Sequence, residues 1–264
     1  MPVVSVVRLM FSRRWWWTTL LVLFAAAVMV SLGLWQIDRY QQRQAFVAQV
    51  RAMQAAPPLV LGGRTVVPAG LIDMEYRVVR AMGTYDFEHQ VAIRNQVWTQ
   101  SWGDEMGYAL LTPLVLEDGS AVLVERGWIP SEHDTPDSWR QFDVPGTVTV
   151  EGMIRLPRSE GEMGSLKDPT LAPGQDRLAF WIFVNIPWLQ QQMPYPLLPV
   201  YIECAPDGSQ VSPPYCAEPV LDLSEGTNLG YAGQWFLYTA LLLFGYPIYL
   251  RKREAEAARD AEQS

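Results

Sequence analysis

"YALLTPLVLEDGSAVLVERGWIP", Tyr108 to Pro130, is the stretch that decides the fold class. Two apolar runs flank Asp118 and Gly119, and glycine tolerates the positive φ of a type I′ turn, so the stretch predicts a β-hairpin. Strand-like sequence continues on both sides. Upstream, "EYRVVRAMGTYDF" (Glu75 to Phe87) and "QVAIRNQVW" (Gln90 to Trp98) are rich in β-branched and aromatic residues and predict neighbouring strands joined by a turn at Glu88 and His89. Downstream, "TVTVEGMIRL" (Thr147 to Leu156), "FWIFVNI" (Phe180 to Ile186) and "LPVYIE" (Leu198 to Glu203) complete seven predicted strands. That count predicts one β-rich domain, a small barrel or sandwich, with enough chain to bury its own core.

The flanks have a different composition. Trp15 to Ile37 and Gly226 to Leu250 contain no Asp, Glu, Lys, Arg or His, and each exceeds the roughly 20 apolar residues that cross a bilayer core. Both are expected to be transmembrane helices. A secretory signal has an apolar core of only about 7 to 15 residues and a small-x-small cleavage site; the first run is longer and leads instead into "QIDRYQQRQAFVAQVRAMQAA". That segment lacks breakers and predicts a helical stem that stops at Pro57 and Pro58. "IPWLQQQM" (Ile186 to Met193) predicts one short helix, and the Gly- and Pro-rich "PRSEGEMGSLKDPTLAPGQDR" a loop.

The expected plan is an α+β membrane protein in which two transmembrane helices flank one extracytoplasmic β-rich domain. Residues 1–14 form a cytoplasmic N-terminus, 15–37 the first span with its stem to about residue 56, 57–227 the β-rich domain, 228–250 the second span, and 251–264 a cytoplasmic tail. Arg8, Arg13 and Arg14 precede the first span and Arg251, Lys252 and Arg253 follow the second, which places both termini inside. Trp15, Trp16 and Trp17 mark the inner boundary, and Trp35, Tyr40, Tyr231 and Trp235 the outer one, as aromatic belts. Between Gln36 and Gly230 stand 13 Lys plus Arg against 24 Asp plus Glu, a balance that excludes nucleic acid as a partner.

Cys204 and Cys216, the only cysteines, bracket "CAPDGSQVSPPYC". On an oxidising side of a membrane a disulfide is the leading reading. Paired copper ligation is the alternative, for which the loop supplies no His or Met.

Catalytic signatures are absent. His89 ("FEHQ") and His133 ("SEHD"), the two histidines, sit in polar turn-like contexts where solvent exposure is expected. There is no C-x-x-C, no G-x-S-x-G elbow and no phosphate-cradling glycine loop, so no enzyme activity is expected. "ERGW" (Glu125 to Trp128) places a charged pair at the end of an apolar strand. A salt bridge closing the sheet edge is its first reading; a second pairs Arg126 with Trp128 on a flat anionic ligand, a description that porphyrin propionates meet.

Four blocks in order, "LGLWQIDRYQQR", "YRVVRAMGTYDF", "GYALLTPLVLEDGSAVLVERGWIP" and "NLGYAGQWF", resemble the Surfeit locus protein 1 family of cytochrome c oxidase assembly factors over nearly the whole chain. The resemblance implies a membrane protein that assists maturation of haem-copper cytochrome c oxidase, at the stage where haem a enters the catalytic subunit, with oxidase subunits as partners and haem a as a transient cofactor at most. It also implies that some relatives stay with the respiratory assembly as accessory subunits. No Arg- and Ser-rich presequence is evident, so a bacterial cell membrane is the expected address. The family pattern carries a histidine just ahead of the Tyr-Ala of the last block, a natural axial ligand for haem iron. Here Asn228 stands near that place and the second span has no histidine.

The span ends form the candidate contact surface. Tyr231, Gln234, Trp235 and Tyr238 are spaced i, i+3, i+4, i+7 and share one helix face. Trp35, Arg39 and Arg43 repeat every four residues. Trp35, Arg39, Asn228, Tyr231, Gln234 and Trp235 are the candidate residues for a partner helix or a haem propionate. The competing reading has these residues zip the two spans together, with Ala27 and Ser31 as the small pair that lets the helices approach.

Overall fold

In the computed structural model the described residues are 3–63, 67–100, 103–158, 168–169, 177–206, 212–217, 221–224 and 226–262. The chain divides into two units, Met1–Ala48 with Leu223–Ser264, and Gln49–Asp222.

The first unit is helical. It holds a short α1 (Val3–Met10), α2 (Trp16–Ala55) up to Ala48, and α5 (Asn228–Glu262). α2 has a single internal glycine and no proline until Pro57 stops it, so the uncharged run and the predicted stem are one continuous helix. Thr19, Ala26, Gly33 and Val47 repeat at multiples of seven and are buried, as are Ala232 and Thr239 on α5. Such a stripe packs one helix along another.

The partners run antiparallel. The hydroxyls of Thr18 and Thr19 meet that of Tyr246 at 2.9 and 2.8 Å, Gly33 lies under the Phe236 ring, and Arg43 Nε donates to the Ser224 carbonyl at 3.2 Å. A Cβ on Gly33 would come within 2.8 Å of that ring, so the close approach occurs there. Ala27 and Ser31 face outward, the Ser31 hydroxyl bonding the Ala27 carbonyl at 2.9 Å. The predicted small pair is thus displaced by Ala26 and Gly33, which one heptad places on the packed face.

Among the described residues one helix, α2, is long and apolar enough to cross a membrane by length and composition. The second uncharged run also forms a helix, but its Tyr, Trp, Gln and Gly content leaves it less apolar than α2.

The second unit is a barrel. Its strands are β1 (Leu59–Leu61), β2 (Val78–Tyr85), β3 (Val91–Gln100), β4 (Gly103–Val115), β5 (Ala121–Pro130), β6 (Thr147–Arg155), β7 (Phe180–Trp181) and β8 (Leu197–Cys204). The order is β1-β2-β6-β8-β5-β4-β3-β7, and β2 also pairs with β4 through Thr84↔Val115 and Tyr85↔Leu114. That pairing closes β2, β6, β8, β5 and β4 into a five-stranded ring, with β5 and β8 parallel. The connectivity is that of an OB-type Greek-key barrel. α3 (Pro136–Trp139) lies between β5 and β6, and α4 (Ile186–Leu189) follows β7.

Six of the predicted strands form and β1 is added to them, while of Phe180 to Ile186 only Phe180 and Trp181 are strand and Ile186 already begins α4. β2 and β3 are not neighbours, however; both lie along β4, one after the other. The hairpin turn also differs. Gly119 is at φ +81 while Asp118 has no positive φ, and Gly119 N–H and Leu116 N–H bond the carbonyls of Leu116 and Ser120 at 3.1 and 2.8 Å. This is a three-residue loop with glycine in the left-handed position, because a type I′ turn needs positive φ at both central residues.

From Gly107 onward β4 is buried on both faces, as is β5. Val79, Leu114, Val122, Val124, Ile154 and Ile202 fill the barrel. Ile93, Leu111, Leu123, Trp181 and Leu189 form a second core against its outer wall, where β7 and α4 cover it. The period of the hairpin therefore reads as continuous apolar sequence rather than alternation. The predicted Gly- and Pro-rich loop falls largely outside the described residues; of its described part, Asp168 accepts the N–H groups of Ile182 and Phe183 at 3.0 Å each.

Candidate functional site

Glu125 and Arg126 do not pair with each other. In β5, Glu125 lies opposite Leu111 and Gly127 opposite Leu110, so Arg126 is the extra residue of a β-bulge. Successive side chains of a strand leave on opposite faces, and the two charges enter separate cavities. The predicted edge-closing salt bridge gives way to two ionisable clusters, the first half-buried and the second centred on a buried arginine.

The first cluster surrounds Glu125. Glu203 is its register partner on β8, and Arg155 of β6 reaches Glu203 Oε2 with Nε at 3.0 Å. The Arg155 guanidinium also lies 5.0 Å from the Tyr76 ring. With Tyr201 and Arg158 these side chains line a cavity of about 270 Å³. Burial, then the Glu203 charge, pushes the Glu125 carboxyl up to about 7, with Arg155 opposing. Burial also raises Glu203, again against Arg155. Two carboxyls thus share one close guanidinium, and a proton on Glu125 balances the site near neutral pH.

The second cluster surrounds Arg126, only 8% exposed. Its guanidinium donates to Gln90 Oε1 at 3.0 Å and to the Phe142 carbonyl, and it is stacked 5.0 Å from the Tyr85 ring and 5.1 Å from that of Phe87. The Thr112 hydroxyl holds Gln90 Oε1 from the other side at 2.5 Å. Burial lowers the Arg126 pKa, partly offset by Tyr85 and Asp143; burial raises Tyr85 to about 12 and also raises Asp143. No described carboxylate comes within ion-pair distance of Arg126.

Trp128 is not part of that cluster. It is 5% exposed and stacked against Trp98 and Tyr215 at 5.9 and 6.4 Å, so it offers no open face to a flat ligand beside Arg126. Its main chain bonds that of Tyr215 at 2.8 and 2.9 Å. The sulfurs of Cys204 and Cys216 are joined in a disulfide, which ties the Tyr215 segment to the end of β8.

Both histidines are half-buried rather than fully solvated. His89 Nδ1 lies 2.7 Å from Asp86 Oδ2, which also accepts the Tyr195 hydroxyl at 2.8 Å. Burial works against the Asp86 charge, but the bonds from Tyr195 and His89 hold its carboxyl below the usual range. His133 Nδ1 meets Gln141 Nε2 at 3.1 Å, and its ring stands edge-on to Phe142. The D-x-x-H spacing of Asp86 and His89 was the available signal for the first contact. Nothing local announces Glu125, Arg155 and Glu203, which come from three strands. Among the described residues no group of three or more His, Cys, Asp or Glu could hold a metal ion.

The span-end residues lie in the helical unit. Trp35 and Tyr231 are 54% and 50% exposed, Gln234 and Tyr238 are exposed, and Trp235 is half-buried edge-on to Tyr238 at 6.3 Å. Asn228 is half-buried at the start of α5, and Arg39 is exposed, bonding Gln42 at 3.3 Å. The hairpin is zipped by Thr19, Gly33, Phe236 and Tyr246, while Trp35, Arg39 and Tyr231 look outward.

An antiparallel helix pair joined in sequence to a closed five-stranded barrel, with one ionisable cluster on each face of strand β5, defines a two-part protein of long helices and an OB-type barrel. The chain belongs to the SURF1 family, whose model matches residues 23–240. It is 28% identical over 233 residues to a SURF1-like protein of Monosiga brevicollis, covering 86% of this chain and 84% of that one. It is 28% identical over 142 residues to Surfeit locus protein 1 of Takifugu rubripes, covering 49% of this chain and 58% of that one. It is 30% identical over 144 residues to the cytochrome oxidase assembly protein SHY1 of Saccharomyces cerevisiae, covering 52% of this chain and 36% of that one.

Proposed function

We propose that this chain is a membrane-held, non-catalytic assembly factor for a haem-copper cytochrome c oxidase, which docks on the catalytic subunit during its maturation. The observation that carries the reading is the family match, which runs unbroken from α2 through the barrel into α5 and includes a relative named for cytochrome oxidase assembly. Both long helices span the bacterial cell membrane, the termini are cytoplasmic and the barrel is extracytoplasmic. The basic residues flanking the helices and the Cys204–Cys216 disulfide, suited to an oxidising compartment, support that placement. In it, Trp35, Arg39, Tyr231, Gln234 and Trp235 lie at the outer leaflet and meet a transmembrane helix of the oxidase.

Haem ligation is left out of the proposal. Asn228 is a poor haem ligand, α5 has no histidine, and His89 and His133 each have a ring nitrogen engaged within the barrel unit.

Deleting the chain should lower oxidase activity and haem a content in the membranes. Arg39→Ala should lower oxidase recovery while the protein stays inserted and abundant; unchanged oxidase haem content in that strain would refute docking through this surface. Stoichiometric copurification with mature oxidase would instead assign a permanent accessory subunit.

A further inference from the structure

Among the described residues the barrel wall is open beside the Arg126 cavity. β8 pairs with β6 from Gly152↔Cys204 onward, and Ala205 adds one bond to Glu151, leaving Thr147 to Val150 of β6 without a described strand on that side. The direction of the free groups follows from the ladder. Ile154 N–H bonds the Arg77 carbonyl at 2.9 Å, so alternation turns the main-chain groups of Gly152, Val150 and Val148 toward β2. Those of Glu151, Thr149 and Thr147 turn away, as the bond from Ala205 N–H to the Glu151 carbonyl at 3.2 Å confirms. The amide and carbonyl of Thr149 therefore face the cavity without a described strand to receive them.

The opposite side of the opening is closed. Beyond Glu125 the edge of β5 is covered by the Tyr215 segment, bonded at Trp128 and held by the disulfide. Beside the β6 edge lies a slot of about 530 Å³, whose lining includes Val148, Val150, Pro214, Tyr85 and Arg126. An exposed edge is a template for a further strand. Arg126 is a buried guanidinium with no described carboxylate in ion-pair range, and buried charges are ordinarily paired. Only two of its five N–H donors bond acceptors among the described residues.

We propose that this slot receives an extended peptide segment of a partner protein, which adds as a strand to the Thr147–Val150 edge of β6 and places an acidic side chain on Arg126. The main-chain bonds supply the affinity, and the guanidinium selects a carboxylate at one position. The proposal rests on the reading of this chain as a protein that docks on another. Loss of oxidase on deletion tests that reading separately, so failure of the slot would leave it standing.

The test uses the purified full chain in detergent micelles and a fluorescein-labelled nine-residue peptide of alternating valine and threonine with one central glutamate. Fluorescence anisotropy should show saturable binding, at least about tenfold weaker when glutamine replaces the glutamate. Thr149→Pro removes the outward N–H while leaving the β2 ladder intact, because proline is tolerated on an open edge. It should weaken glutamate-peptide binding at least about tenfold with no change in unfolding temperature. Arg126→Gln should abolish the preference for glutamate; should that variant fold poorly, the Thr149→Pro result decides alone. The proposal is overturned by absence of saturable binding or by unchanged binding to Thr149→Pro. It is equally overturned if the edge instead makes a concentration-dependent dimer of this chain that Thr149→Pro dissolves, or if the slot takes oleate but not the peptide.

Discussion

Replacing Glu125 by glutamine should make the barrel more stable at neutral pH and flatten its pH dependence. The carboxyl titrates near 4.5 when free and is raised to about 7 in the folded protein by burial and by Glu203. Between those values the folded state holds a proton that the unfolded chain has released, so stability falls as pH rises. The contribution is fully present below the unfolded pKa and lost as pH climbs through the folded one. A shift of about 2.5 units corresponds to about 3 kcal/mol at 1.36 kcal/mol per unit. Glutamine keeps the shape and does not ionise, so the variant should gain on wild type by about 2–3 kcal/mol between about pH 4 and pH 8. For a unit of this size that is roughly 5–10 °C in midpoint. Thermal unfolding of the full chain in detergent, followed by tryptophan fluorescence at several pH values, measures it. Parallel curves for the two proteins across that range would refute the assignment of the raised carboxyl to Glu125.

Cys216→Ser should destabilise the barrel unit by about 2–4 kcal/mol and release Tyr215 from its stack on Trp98 and Trp128, seen as a lower midpoint and altered tryptophan emission. Gly127→Ala should cost at least about 1–3 kcal/mol, because φ is +122 and the new Cβ would lie 2.7 Å from the Tyr215 main chain; the unfolding midpoint checks it. Leu123→Ala, fully buried against the outer wall of the barrel, should cost about 2–5 kcal/mol by the same measurement. Gly33→Leu should drive the Phe236 ring from its seat and loosen the helix pair, lowering the temperature at which the helical circular dichroism is lost.

The strands of the barrel were legible because β-branched and aromatic runs of strand length, bounded by glycine, proline and polar turns, have few other ways to be buried. Partner choice was not. β2 and β3 adjoin in sequence yet both lie on β4, since closing the ring through Thr84↔Val115 takes up one end of that strand and leaves the rest to β3. The heptad of Thr19, Ala26 and Gly33 was present in the uncharged run, but without its partner helix nothing distinguished it from the small residues at Ala27 and Ser31.

The candidate sites divide the same way. Composition and order of blocks determined the helical flanks, the β-rich centre and the family, because these depend on periodicity and residue type within one segment. Only the tertiary structure decided that Glu125 and Arg126 go to different cavities, that Glu203 and Arg155 join the first, and that Gln90, Tyr85 and Phe87 enclose the second. The reason is physical: a bulge re-aims one side chain and sheet register brings together residues far apart in sequence, and the chain read alone carries neither the bulge nor the register.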